Sequence, residues 1–173
     1  MSEPWIWHSH VRYYETDRMG VVHHSNYLRI LEDARMDWLE AMGLNYPEME
    51  RQGVIIPCIS AQGEFLNFLR FGEPYQVAVT LVGYTGTRLR FSYEVRSEAS
   101  DKLCYRGTTE HCFVRDGDYL PVMLKRKLPD YHRRLRPPIP PTPVPRKEPT
   151  LWLFIIVSRR NSSMTRAPWW ISP

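Results

Sequence analysis

A sustained helical period marks one stretch of this chain, and almost everything around it alternates with a period of two. Tyr27, Ile30, Leu31, Ala34, Trp38, Leu39 and Met42 recur at intervals of three and four, while Arg29, Glu32, Asp33, Asp37 and Glu40 fill the other face. Ser25 or Asn26 offers a start and Gly43 a stop, which gives a helix of about four turns. Before it, Trp5 to Tyr14 is rich in aromatic and β-branched residues and reads as a strand. Beyond Gly53 the pattern is β to Val122. The segments are Val54 to Ser60, then Glu64 to Leu69 after a bulge or bend at Gly63, then Tyr75 to Tyr84 and Arg88 to Arg96. Lys102 to Arg115 follows as the longest strand, and Asp116-Gly117-Asp118 turns it into a short return. One helix cannot cover both faces of such a sheet. The expected class is therefore α+β, an antiparallel sheet wrapped around a single helix, with an open edge that pairs with another subunit.

Composition narrows the function classes. The chain has 173 residues, 43% of them hydrophobic and 13% aromatic, enough for one domain with a sizeable core. A net charge of +4 would ordinarily raise nucleic-acid binding. Residues 1–136, however, balance 18 Lys and Arg against 18 Asp and Glu, so the excess lies wholly in 137–173. That segment also holds nine of the 15 prolines and opens on a polyproline stretch. It reads as a proline-rich, basic, poorly ordered extension of a domain spanning 1–136, and nucleic acid drops out as a partner. Cys58, Cys104 and Cys112 are odd in number and show no CxxC pairing, which argues against a disulfide framework or structural zinc. No basic region followed by an apolar leader begins the chain, and the longest apolar run, Leu151 to Val157, is far short of the roughly 20 residues of a membrane span. A cytoplasmic protein is expected.

The chemistry-bearing residues concentrate in Tyr13 to Tyr27, between the first strand and the helix start. Glu15, Asp17, His23, His24 and Ser25 lie there together with Gly20. Exposed N–H groups at a helix start can stabilise an oxyanion, and a carboxylate facing them can activate water or attack a carbonyl. The same residues also suit a plain connection, with Asp17 forming a turn, Gly20 meeting a backbone requirement and Ser25 capping the helix. A metal site lacks any HExxH-type spacing, and adjacent histidines ordinarily diverge. Ser25 or Cys58 with a histidine has no GxSxG elbow, Cys104 and Cys112 sit in a strand as packing residues, and no nucleotide-phosphate loop is present.

The run Tyr13-Tyr14-Glu15-Thr16-Asp17, then Met19-Gly20-Val21-Val22-His23-His24-Ser25-Asn26-Tyr27, followed by Glu32-Asp33-Ala34-Arg35, closely resembles the 4-hydroxybenzoyl-CoA thioesterase family. Within it the chain is most similar to the acyl-CoA thioesterases associated with the bacterial Tol-Pal region. The resemblance extends through Gly86-Thr87 and covers roughly Val11 to Leu128. It implies a hot-dog fold, in homodimers or homotetramers with sites at subunit boundaries, and hydrolysis of an acyl-CoA to free acid and CoA without a cofactor or metal. It implies Asp17 as nucleophile or general base, and the His24 backbone N–H as the group that polarises the thioester carbonyl. Gly20 and Val21 then shape the turn against the substrate, and Asn26 and Tyr27 anchor loop and helix beside it. On charge alone, Arg88 and Arg90 suit the CoA phosphates, and at least as well a plain solvated strand face. An acyl-carrier-protein thioester as substrate, a non-catalytic acyl-thioester binder, and a scaffold acting through the proline-rich tail are the other readings.

Overall fold

The apolar stripe dictates where the helix lies. In the computed structural model, which describes residues 3–136, helix α1 spans Asn26–Ala41 and buries Tyr27, Ile30, Leu31, Ala34, Trp38 and Leu39. The strands are β1 (Trp5–His10), β2 (Val54–Ile55), β3 (Cys58–Phe65), β4 (Pro74–Tyr84), β5 (Arg88–Ser97), β6 (Leu103–Cys112) and β7 (Val114–Arg115). Five of them form one antiparallel sheet in the order β1-β4-β5-β6-β3, and β2 pairs with β7 in a separate ribbon. Alternation sorts the faces: Val77, Val79 and Leu81 of β4 lie opposite Val95, Tyr93 and Phe91 of β5, all buried toward the helix. Trp38 meets Phe91 edge to face, with ring centroids 5.1 Å apart. The proline-rich segment expected at 137–173 lies outside the described residues.

Several boundaries differ from the sequence expectation, each for a visible reason. β1 stops at His10 and not Tyr14, because Tyr13–Glu15 close a 3-10 turn in which the Arg12 N–H donates to the Glu15 carboxylate at 2.7 Å. β6 ends at Cys112, and β4, at 11 residues, is the longest strand. Phe113 turns inward there, its N–H donating to the Thr87 carbonyl, and the chain leaves the main sheet for the β2 ribbon. The return after Asp116-Gly117-Asp118 makes only a bridge between Val114 and Pro121. Three short helices carry too few residues for a period to show: α2 (Tyr46–Arg51), α3 (Leu124–Lys127) and α4 (Pro129–Arg134). Two have local start signals: the Asn45 side chain caps α2 by accepting from the Glu48 N–H at 2.8 Å, and Pro129 occupies the first position of α4.

Gly63 is not a bulge. β3 runs straight through it, and the register shift falls between Cys58 and Ser60. Gly63 faces Gly107 across the β3–β6 pair, and the Tyr105 side chain lies over both. A Cβ on Gly107 would stand 2.5 Å from the Tyr105 hydroxyl and 2.6 Å from the Gln62 carbonyl oxygen. Gly107→Ala should therefore cost about 1–3 kcal/mol by overpacking and lower the thermal midpoint by several degrees, read by circular dichroism. An unchanged midpoint would show that the ring does not rest there.

Further along the inner face, a polar line interrupts the core. His111, 2% exposed, shares a hydrogen bond of 2.8 Å between Nε2 and Thr109 Oγ1, and Thr109 meets the Tyr93 hydroxyl at 3.0 Å. Burial, and then the Arg35 guanidinium, push the His111 imidazole down to about 4. The unfolded chain takes up a proton near pH 6.5 that the folded chain refuses, so stability falls as pH drops from about 6.5 to 4. The loss amounts to about 3 kcal/mol. Urea midpoints of His111→Gln should fall less steeply over that range than those of the parent chain, and equal slopes would assign the acid loss to other groups.

Candidate active site

The connection from β1 to α1 is built as a small hairpin. Thr16 bridges Val22, the Asp17 N–H donates to the Val21 carbonyl at 3.0 Å, and the Gly20 N–H donates to the Asp17 carbonyl at 2.9 Å. This is a three-residue turn, Arg18-Met19-Gly20, whose last position needs a positive φ; Gly20 supplies it at +72°. Asp17 is half-buried, and its Oδ1 accepts the Met19 N–H at 2.8 Å. The turn-forming and reactive readings of Asp17 thus coexist: one carboxylate oxygen holds the turn, and the other has no partner among the described residues.

The second arm of the hairpin leads straight into the helix. The Val22 N–H donates to the Leu69 carbonyl at 2.9 Å, and both Val21 and Val22 are buried, so the Val21 side chain packs the back of the loop. The Glu15 carbonyl accepts twice at 2.8 Å, from the His23 N–H and from the buried Asn26 amide. Asn26 thereby ties the exit of the 3-10 turn to the first residue of α1. Ser25 occupies the helix-cap position without capping it, because its hydroxyl lies 2.8 Å from His23 Nδ1. The two histidine rings do not diverge as expected but lie 4.0 Å apart, tilted by 38°. His24 is exposed, and its N–H has no acceptor among the described residues. That donor sits at the positive end of a four-turn helix.

Aromatic residues close in on the helix start. Tyr27 is buried and stacks on Tyr105 at 4.9 Å, and burial raises its phenol far above the ordinary value, so it stays neutral. Phe65, the last residue of β3, meets Tyr27 at 5.3 Å and His24 at 6.4 Å while remaining 58% exposed. Neither Phe65 nor Tyr105 stood out in the sequence. The available signal is the crowding of Phe65, Leu66, Phe68 and Phe71, the first three of which the pattern assigns to a strand over Glu64 to Leu69. Past Phe65 the chain leaves the sheet instead, with Leu66 and Asn67 donating to the Cys104 carbonyl, and all four apolar side chains stay exposed.

Arg88 stands elsewhere. It opens β5 opposite Cys112, whereas Tyr105 lies opposite Val95 at the other end, about 20 Å away along the strands. Its guanidinium is engaged with Glu110 at 2.9 Å. One protomer therefore does not bring Arg88 or its neighbour Arg90 to the Asp17 loop. Cys58 lies at that far end as well, paired with His111, so it joins no histidine of the loop.

Comparison with known proteins gives this geometry its context. Residues 11–145 match the family described as the thioesterase-like superfamily. A Bacillus subtilis protein named as a candidate acyl-CoA thioesterase is 31% identical over 122 residues, covering 70% of this chain and 88% of its own. The solved DHNA-CoA thioesterase of Staphylococcus aureus is 32% identical, covers 75% of this chain and 86% of its own, and superposes with a TM-score of 0.72. A hypothetical protein of Thermus thermophilus is 36% identical, with coverage of 75% and 95% and a TM-score of 0.67. The sheet-around-helix architecture is thus the hot-dog fold. The chain belongs to the thioesterase-like superfamily and is a thioester hydrolase.

Proposed function

We propose that the chain hydrolyses acyl-CoA thioesters at the Asp17–Tyr27 loop, in the 4-hydroxybenzoyl-CoA thioesterase branch and near its Tol-Pal-associated members. The observation that carries this reading is that one braced connection between β1 and α1 holds two groups without a partner among the described residues, a carboxylate oxygen of Asp17 and the backbone N–H of His24. The carbonyl oxygen of the thioester accepts from the His24 N–H, and negative charge developing on it is stabilised by the helix start, a donor worth about 2.7–4 kcal/mol in such sites. Oδ1 of Asp17 is fixed by Met19, so the free oxygen either takes the proton of an attacking water or attacks the carbonyl itself. In both routes the tetrahedral intermediate collapses with loss of the CoA thiolate. When Asp17 attacks, water then cleaves the resulting anhydride. The acyl group runs along Phe65, Tyr27 and His24.

The edge of the sheet argues for a shared site. Among the described residues β3 has no neighbour on its outer side, and Ile59, Phe65, Leu66, Phe68, Phe71 and Met19 expose apolar surface at that edge and around the loop. Two β3 edges paired antiparallel set the Cys58 end of one copy beside the Phe65 end of the other. That arrangement carries the Arg88 end of one subunit to the Asp17 loop of its partner, where Arg88 and Arg90 reach the CoA phosphates. The assembly is a homodimer, or a tetramer of two such dimers. A reducing, cytoplasmic setting fits the three free cysteines, and no helix among the described residues is long and apolar enough to cross a membrane.

Asp17→Asn should lower kcat on an acyl-CoA panel by about 10²- to 10⁴-fold while leaving the far-ultraviolet circular dichroism unchanged. Turnover like that of the parent chain would remove Asp17 from its role. Sedimentation should show self-association at micromolar concentration. A stable, fully active monomer would overturn the shared site.

A further inference from the structure

Helix α1 buries a guanidinium with little to meet it. Arg35 follows Tyr27 and Leu31 on one stripe of the helix, and its side chain is 8% exposed. Its ion pair is with Glu32 at 3.3 Å, a side chain that is itself 64% exposed. Nη1 lies 3.8 Å from the Met36 sulfur, and Nε has no acceptor among the described residues. On the inner side its charge reaches Tyr46, Tyr93 and His111, each held neutral by burial. A buried cation ordinarily has a well-placed anion beside it. His111 Nδ1 is also buried and, although the Ile56 backbone lies near, hydrogen-bonds to no described residue. When Tyr93 donates to Thr109 and Thr109 to His111 Nε2, the neutral ring keeps its proton on Nδ1, a further donor without an acceptor.

An open path leads to this point from the Asp17 loop. Phe65, Gly63 and Ala61 of β3 lie opposite Tyr105, Gly107 and Thr109 of β6, and so share their helix-facing side. Tyr105 and Thr109 are buried, whereas Phe65, Gly63 and Ala61 are exposed, so α1 does not reach over β3. A trench therefore runs between the Tyr27–Arg35 stripe and the open side of β3. Tyr105, laid over Gly63, and the small Ala61 keep its floor low. It begins where Phe65 meets Tyr27 and His24. From Tyr27 to Arg35 the helix rises about 12 Å, and from Phe65 to Ala61 the strand runs about 13 Å. The trench thus ends level with the guanidinium.

We propose that Arg35 is a specificity-determining residue, which takes a carboxylate at the far end of the acyl group. On the thioesterase reading, on which this assignment rests, the acyl group is a dicarboxylic acid joined to the thiol through one of its two carboxyls. With its thioester carbonyl on the His24 N–H, the chain follows the trench and its free carboxylate forks onto the guanidinium. A span of about 12 Å takes about nine carbon–carbon bonds at ~1.3 Å of advance each. Glu32, an exposed partner one helical turn away, gives up its contact at little cost. A methyl-ended chain of equal length leaves the buried cation unmet, which is the basis of discrimination.

The test uses the full chain and two CoA thioesters matched in length, one of decanoic acid and one of decanedioic acid. The parent chain should favour the decanedioic thioester at least tenfold in kcat/KM, chiefly through KM. Arg35→Met should bring that ratio to about one, and Arg35→Lys should restore part of it. An equal fall on both thioesters would make Arg35 a purely structural residue and overturn the proposal. Should neither variant fold, the parent chain decides, since equal rates on the two thioesters, or a preference for decanoyl-CoA, overturn it. Hydrolysis of other acyl-CoAs without that preference leaves the thioesterase reading intact and removes only the role of Arg35. If no acyl-CoA is cleaved, that reading fails instead, and titration calorimetry with free decanedioate decides the role of Arg35. Binding to the parent chain that weakens at least tenfold in Arg35→Met sustains it, and no binding overturns it.

Discussion

The Glu15 carbonyl oxygen is the point on which the site turns. It accepts from the His23 backbone and from the Asn26 side chain, and so joins the end of the 3-10 turn to the beginning of helix α1. Without that junction the Thr16–Val22 hairpin would keep its ties to Leu69 and Arg70 but lose the one that sets its position against the helix start, and with it the relation between Asp17 and the His24 N–H. The acceptor is a backbone group with two lone pairs, so neither donor displaces the other. Both donors are held in turn, Asn26 by burial in the helix face and His23 by its hydroxyl contact with Ser25. Preorganisation of this kind matters because an oxyanion donor must already point at the developing charge when the reaction begins.

That junction was only half legible in the sequence. The helix was readable to within a residue at each end, since its apolar stripe is long and a 3.6-residue period has no strand alternative. The central strands β4 and β5 were equally plain, because one of their faces is buried and the other is not. The clustering of Asp17, Gly20 and His24 was visible as well. What could not be read was which donor each acceptor would choose. Ser25 has the chemistry of a cap but spends its hydroxyl on a histidine, and the capping-type residue that braces the loop is Asn26, one position inside the helix. Periodicity is blind to such choices, which are settled by tertiary distance.

The remaining misreadings share one cause. Gly63 looked like a break because a strand glycine usually marks a bend, yet here the missing side chain makes room for Tyr105, 42 residues on. The segment Glu64 to Leu69 reads as a strand because it is apolar, yet the sheet ends at Phe65, Leu69 turns into the core, and Phe65, Leu66, Phe68 and the following Phe71 are left in solvent. In both places the deciding partner is remote in sequence. For Gly63 it is an aromatic ring on the neighbouring strand. For Phe65 to Phe71, on the reading proposed above, it is another molecule.

That last point bears on the chemistry more than on the fold. A thioester is attacked best where water other than the reacting one is kept out, since oriented dipoles act most strongly in a dry site. In a single copy the His24 ring and more than half of Phe65 stand in solvent, and Asp17 is only half-covered. The loop is therefore rigid before it is dry. Its hydrogen bonds are all internal to one chain, and its apolar surroundings are the part left unfinished. A second copy seated along β3 would supply the missing cover while the hydrogen bonds of the hairpin, which run within the loop and to Leu69, stay in place. Geometry set by one chain and desolvation set by two is a division of labour that a curled sheet with an unpaired β3 edge makes available at no cost to its core.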